Sequence, residues 1–293
     1  MFDRILVGYL SDRAGRDAVA LAAQLRSLLA GKLTVLFPYH PLLSSTTAQE
    51  AEARVAQEVQ ALLTGFGEQE QPTCHWTSSS WPIRALHEFA RYEKSELIVF
   101  GGARERLADR LHISLTERML HGAPCAVALA PVGYAERGAH PLRRVGVGFA
   151  ATDEGLVALR VAHRLAVAAA GELEIIAGVC LDPALASYAF SSAAVEEVER
   201  EMYTQTRGEL ERLASELGGE VRVEHREISH DAVTALLERS SELDLLVLGS
   251  RAYGPVRHVL LGSVSARAAR EASCPVVIVP RGVDPTSSQP PAA

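Results

Sequence analysis

Cysteine is scarce in this chain of 293 residues, and what there is does not cluster. The four cysteines, Cys74, Cys125, Cys180 and Cys274, form no CxxC pair and no zinc spacing, which predicts reduced thiols serving as small apolar residues. Positive charge is in deficit: Lys and Arg total 29 against 36 Asp and Glu, a formal net charge of -7. A general nucleic-acid or anionic-membrane binder needs a net basic face, so neither partner is expected. No apolar run is long enough to span a bilayer. The opening MFDRILVGYL lacks the charged and apolar regions of a secretory leader, and a cytoplasmic location is expected. Catalytic signatures are missing as well. There is no Gly-x-x-x-x-Gly-Lys-Ser/Thr loop, no HExxH and no Gly-x-Ser-x-Gly elbow. No carboxylate pair stands out for acid–base work, so any catalysis is expected to be slow at most.

What the chain does have is a copy of itself. LIVFG at 97–101 recurs as LLVLG at 245–249, and PCAVALAP at 124–131 as SCPVVIVP at 273–280. RILVGYL at 4–10 matches RVGVGFA at 144–150. The repeat predicts two units, residues 1–131 and 143–281, with the Gly-, Pro- and charge-rich segment 132–142 as a linker. The Pro/Ser-rich stretch 282–293 reads as a disordered tail.

Short apolar runs alternate with longer amphipathic segments in both units. Strands are expected near 4–9, 32–38, 72–78, 96–101 and 125–130, and again near 144–149, 172–179, 220–227, 243–248 and 274–279. Helices are expected near 14–30, 46–65, 82–93 and 114–122, then 154–170, 191–217, 231–241 and 263–272, with Asp153 and Asp231 as helix-start caps. Runs such as LDLLVLG suit strands buried on both faces. The prediction is an α/β fold of two tandem doubly wound, parallel five-stranded sheets. Their ligands would sit beyond the carboxyl ends of the strands.

One loop lies at such an edge. Gly249 closes the fourth strand of the second unit, a basic loop with Arg251, Arg257 and His258 follows, and Gly262-Ser263 opens a helix. Unpaired N–H groups at a helix start, a glycine permitting close approach, and hydroxyl donors suit a phosphate chain. An ordinary serine cap and a turn glycine account for the same residues.

The segment Gly249-Ser250-Arg251-Ala252, nine residues, then Gly262-Ser263 resembles the Gly-x-x-Gly, nine, Gly-Ser/Thr motif of the universal stress protein family. VLLGSVSARAAREASCPVVIVPR is similar to that family's closing helix and strand. The resemblance extends over both units and implies a tandem universal stress protein, Rossmann-like, with its two units packed as a pseudo-dimer through their last strands. It further implies ATP, accompanied by Mg²⁺, at Gly249, Arg251, Ala252, Gly262, Ser263, Val264 and Ser265, and a role in stress sensing or regulation. The adenine end would meet backbone at Gly178. A further homodimer of tandems is compatible with it. Ala252 stands at the motif's second glycine, and Ala150 where ATP-binding members carry an acidic residue. These departures keep open a nucleotide-free protein acting through protein contacts. The first unit departs further: Arg104 replaces the second glycine, Ile113 takes the place of Gly262, and Leu10 the acidic position. It is expected not to bind nucleotide and to stand where a second subunit would.

Other features read as structural. Gly146-x-Gly148 in GVGFAA has too little chain before it to follow a strand, so these glycines belong inside the first strand of their unit. Trp76 and Trp81, flanking a serine-rich stretch, read as edge or core packing rather than as a cleft lining. The loop CLDPALASYAFSS at 180–192 is either a lid or a surface insertion.

Overall fold

The computed structural model describes residues 2–40, 46–68, 71–78, 81–102, 115–178, 192–217, 219–228, 232–250 and 262–280. The strands are β1 (Arg4–Gly8), β2 (Lys32–Pro38), β3 (Thr73–Thr77), β4 (Leu97–Gly101), β5 (Ala126–Ala130), β6 (Arg144–Phe149), β7 (Glu172–Gly178), β8 (Arg222–Ile228), β9 (Leu245–Gly249) and β10 (Val276–Val279). The helices are α1 (Arg13–Leu29), α2 (Ala48–Gly65), α3 (Pro82–Tyr92), α4 (Leu115–Leu120), α5 (Asp153–Ala168), α6 (Ser192–Leu217), α7 (Ala232–Ser240) and α8 (Ser263–Glu271). They fall where the periodicity puts them, with ends displaced by a residue or two.

All ten strands join one sheet in the order β3-β2-β1-β4-β5-β10-β9-β6-β7-β8. Each half has the doubly wound order 3-2-1-4-5. Pairing is parallel within each half, and the two halves meet where β5 and β10 run antiparallel, with Val277 opposite Ala128. This is a pseudo-dimer within one chain. An apolar edge strand left open invites pairing with other chains, and here each unit closes the other's edge.

Alternate residues along each strand serve opposite faces. Ile5 and Val7 join a core beneath α1, α2, α5 and α6, and Leu6 joins a second core beneath α3, α4, α7 and α8. Gly146 and Gly148 lie inside β6, as expected from the chain preceding them. A Cβ on Gly146 would come 2.4 Å from Leu243, and one on Gly148 equally close to Leu248.

One local reading is corrected. The cap of α5 is Thr152, whose hydroxyl accepts from the Gly155 N–H at 3.1 Å, and Asp153 is the first helical residue. An acidic residue at that position favours the helix dipole without capping it. The segment between the units, read as a linker, packs against the first unit. It turns through a short 3₁₀ helix, Tyr134–Arg137, with Tyr134 and Leu142 buried in the first core. The fully buried carboxylate of Asp17 on α1 accepts from the N–H groups of Gly133 and Ala135, both at 2.8 Å. The Tyr134 hydroxyl donates to Gln24 on the same helix. Residues 281–293, including the stretch read as a tail, and residues 179–191, which hold nearly all of the long loop, lie outside the described residues, as does Asp231.

Candidate functional site

In both units β1-type and β4-type strands lie side by side where the strand order reverses, and their carboxyl ends form the edge at which ligands meet this architecture. The first turn of a helix is laid directly on that edge. Gly15 and Gly155 occupy the third helical position of α1 and α5, where a Cβ would fall 1.8 Å from the Leu10 carbonyl oxygen and 1.9 Å from that of Ala150. The same turn presses on the neighbouring strand end. A Cβ on Gly101 would meet the Ala14 carbonyl at 2.0 Å, and one on Gly249 the Glu154 carbonyl at 2.9 Å. Gly249 is therefore glycine because α5 needs the space.

The predicted phosphate loop is brought together at its two ends. Gly249 ends β9, and Gly262 is the cap residue of α8, extended at φ -77° and ψ 161°. Ser265 lies in the first turn, is buried, and donates its hydroxyl to the Gly249 carbonyl at 3.0 Å. That bond ties the helix to the strand end and engages the hydroxyl hydrogen within the fold. Ser263 is exposed, and Val264 packs against the second core. Arg251 and Ala252 lie outside the described residues, as do the first unit's Arg104 and Ile113.

The helix starts differ in how they are satisfied. Asp12 caps α1 and Thr152 caps α5 through their side chains, each accepting the N–H of the residue three further on. Gly262 offers no side chain, so no side-chain cap serves the first N–H groups of α8. Beside them lies Ser250, 1% exposed, whose backbone N–H donates to Val279 while its Oγ has no partner among the described residues. Ser250 was not singled out by the sequence, since a serine after a strand is unremarkable until its burial is known. Among the described residues no three His, Cys, Asp or Glu side chains gather as a metal site.

A cleft of about 1410 Å³ opens at the carboxyl edge of the first unit, between the ends of β1, β2 and β4 and the helices α3 and α4. Trp81 lines it, against the expectation of edge or core packing. Trp76 lies on edge strand β3, in edge-to-face contact with Tyr39 at 5.5 Å. Gly262, Ser263 and Ala266 of the second unit also reach this cleft. They do so because α8 lies beside α4 across the seam, where Arg270 pairs with Glu117.

The described cysteines behave as core residues. Cys125 and Cys274 stand at matching places before β5 and β10, and burial pushes each thiol up to about 12. Burial likewise lifts Cys74 to about 11. Thiols held so far above neutrality are poor nucleophiles.

Two doubly wound α/β units fused edge to edge, each with an open carboxyl edge, define a tandem pseudo-dimeric protein of Rossmann-like class. Residues 1–131 and 141–280 each match the model of the universal stress protein family, and the chain belongs to that family. It is similar to universal stress proteins of Mycobacterium tuberculosis and Mycobacterium bovis, each 25% identical over an alignment of 295 positions that covers 94% of this chain and 99% of theirs. Its fold is shared by the crystal structure of a universal stress protein from Archaeoglobus fulgidus. The TM-score there is 0.66 at 18% identity, over 96% of this chain and 98% of that one. A structure from Pseudomonas aeruginosa gives 0.61 at 16% identity, over 95% and 94%. Among the described residues no helix is long and apolar enough to cross a membrane.

Proposed function

We propose that the second unit binds ATP, accompanied by Mg²⁺, at the edge formed by Gly249, Arg251, Ala252, Gly262, Ser263, Val264 and Ser265, and that the protein is a nucleotide-responsive regulator of the stress response in the cytoplasm. The observation that carries this is the start of α8. Its first N–H groups have no side-chain cap, whereas α1 and α5, the first helices of the two units, each have one. Uncapped N–H groups and the positive end of a nine-residue helix favour an anion. The buried, unpartnered Ser250 hydroxyl adds a polar group that a phosphate oxygen could satisfy. Gly262, Ser263 and Val264 would supply backbone N–H groups and Ser263 a hydroxyl. The Ser265 hydroxyl, bonded to Gly249, would hold the helix start in place rather than donate. The phosphate oxygens and water would hold Mg²⁺.

Calorimetry with Mg²⁺·ATP tests this on the native chain and on Gly262→Val/Ser263→Ala. One ATP per chain is expected, weakened at least tenfold in the double variant, as loss of one or two charge-assisted hydrogen bonds implies. No binding to the native chain would select the alternative, a nucleotide-free universal stress protein working through protein contacts, which Ala150 and Ala252 favour. Two ATP per chain would overturn the reading of the first unit as silent toward nucleotide.

A further inference from the structure

The cleft of the first unit has walls unlike those of a nucleotide site. Phe37 and Phe100 are buried at its base, 4% and 5% exposed, and Ile83 is half-buried on its side. Two large apolar side chains line it while still open to water, Leu10 at 44% and Trp81 at 66% exposure. Exposed apolar surface at the mouth of a concavity is what an apolar ligand covers.

The charged groups are distributed unevenly. Three acids line the cleft, and each is engaged. Asp12 caps α1, Glu88 pairs with Arg84 at 2.8 Å, and Glu117 pairs with Arg270. Arg91 and Arg118 also line it, and among the described residues neither makes an ion pair. Arg91 donates to the Gly122 carbonyl at 3.5 Å. The lining is balanced in formal charge, three arginines against three acids, but the two arginines without an ion pair among the described residues lie on α3 and α4 beside an apolar concavity.

We infer that the first unit's cleft binds an apolar carboxylate, its hydrocarbon or aryl body against Leu10, Phe37, Trp81 and Phe100 and its anionic head toward Arg91 and Arg118. The site shares Gly262 and Ser263 at the start of α8 with the proposed nucleotide edge, but none of the groups argued to hold the ligand belongs to that edge, and the inference does not rest on that reading. A carboxylate fits better than a neutral molecule because, among the described residues, the lining arginines without an ion pair stand on α3 and α4.

The test uses the full chain carrying Trp76→Phe, which leaves Trp81 as the sole tryptophan. The probes are decanoate, its neutral amide decanamide, and ATP, followed by Trp81 emission and by calorimetry. Decanoate is expected to saturate at one per chain and to bind about fivefold tighter than decanamide, the scale of two exposed charge contacts. Arg91→Gln/Arg118→Gln should bring decanoate to the affinity of decanamide and leave decanamide unchanged. Leu10→Asp should weaken both about tenfold through lost apolar burial. All three side chains are exposed, and circular dichroism verifies that the variants are folded. Absence of saturable decanoate binding would overturn the inference. So would equal affinity for acid and amide, indifference to Leu10→Asp, or displacement of decanoate by ATP that persists in Gly262→Val/Ser263→Ala, where the nucleotide edge of the second unit is disabled.

Discussion

At the scale of single residues, the most consequential side chain outside either site is Asp17. Its carboxylate is fully buried and holds two backbone N–H groups of the connecting segment. Asp17→Ala would strand both donors, at a cost of about 1–3 kcal/mol for the buried polar groups left unpaired. Urea unfolding at neutral pH measures it, and Asp17→Asn, which keeps one acceptor oxygen, should recover part of the loss. Nothing in the sequence marks this aspartate. It sits in the amphipathic pattern of α1, and its partners are 116 and 118 residues away. Gly262 and Ser263 are the opposite case. Their role as a helix start was legible because Gly-Ser before an amphipathic run is a local signal. Ser250 was not legible, because burial of its hydroxyl is a property of the packed strand end.

At the scale of elements, the first turns of α1 and α5 shape both edges. Both begin with a capping side chain followed three residues later by glycine, Asp12 with Gly15 and Thr152 with Gly155. The glycine lets each turn rest on the carbonyl of Leu10 or Ala150. Gly15→Ala and Gly155→Ala should each cost on the order of 2 kcal/mol by overpacking. They should differ in consequence. Gly155→Ala shifts the turn that abuts Gly249 and should weaken ATP binding, while Gly15→Ala should leave it intact. Paired denaturation and calorimetry on the two variants separate the effects. The placement of Trp81 also belongs to this scale. Its indole precedes Pro82 at the start of α3, and only the packing of α3 beside β1 turns that helix start toward a cleft.

At the scale of the whole molecule, the continuous ten-stranded sheet couples the two units. The β5–β10 seam, the Arg270–Glu117 pair and the anchored connection all cross between them. Both tryptophans lie in the first unit, so their fluorescence reports that unit alone, while circular dichroism reports both. Coincident urea curves from the two probes are expected, because neither unit can unfold without exposing the other's apolar edge strand. A dichroism transition separate from the fluorescence transition would show independent units. The helix α8 belongs to both ends of this arrangement, since its start forms part of the second unit's edge and also lines the first unit's cleft.

The sequence by itself determined the repeat, the order and type of the elements, the doubly wound class and the family. Each is carried by local periodicity or by motifs a few residues long, and these are written along the chain. Only the tertiary structure decided which strand ends meet, that Gly249 is required by α5, that Asp17 ties down the connecting segment, and that the first unit opens into an apolar cleft lined by two arginines that make no ion pair among the described residues. Those features depend on contacts between residues far apart in sequence, and no local pattern encodes the space that packing leaves open.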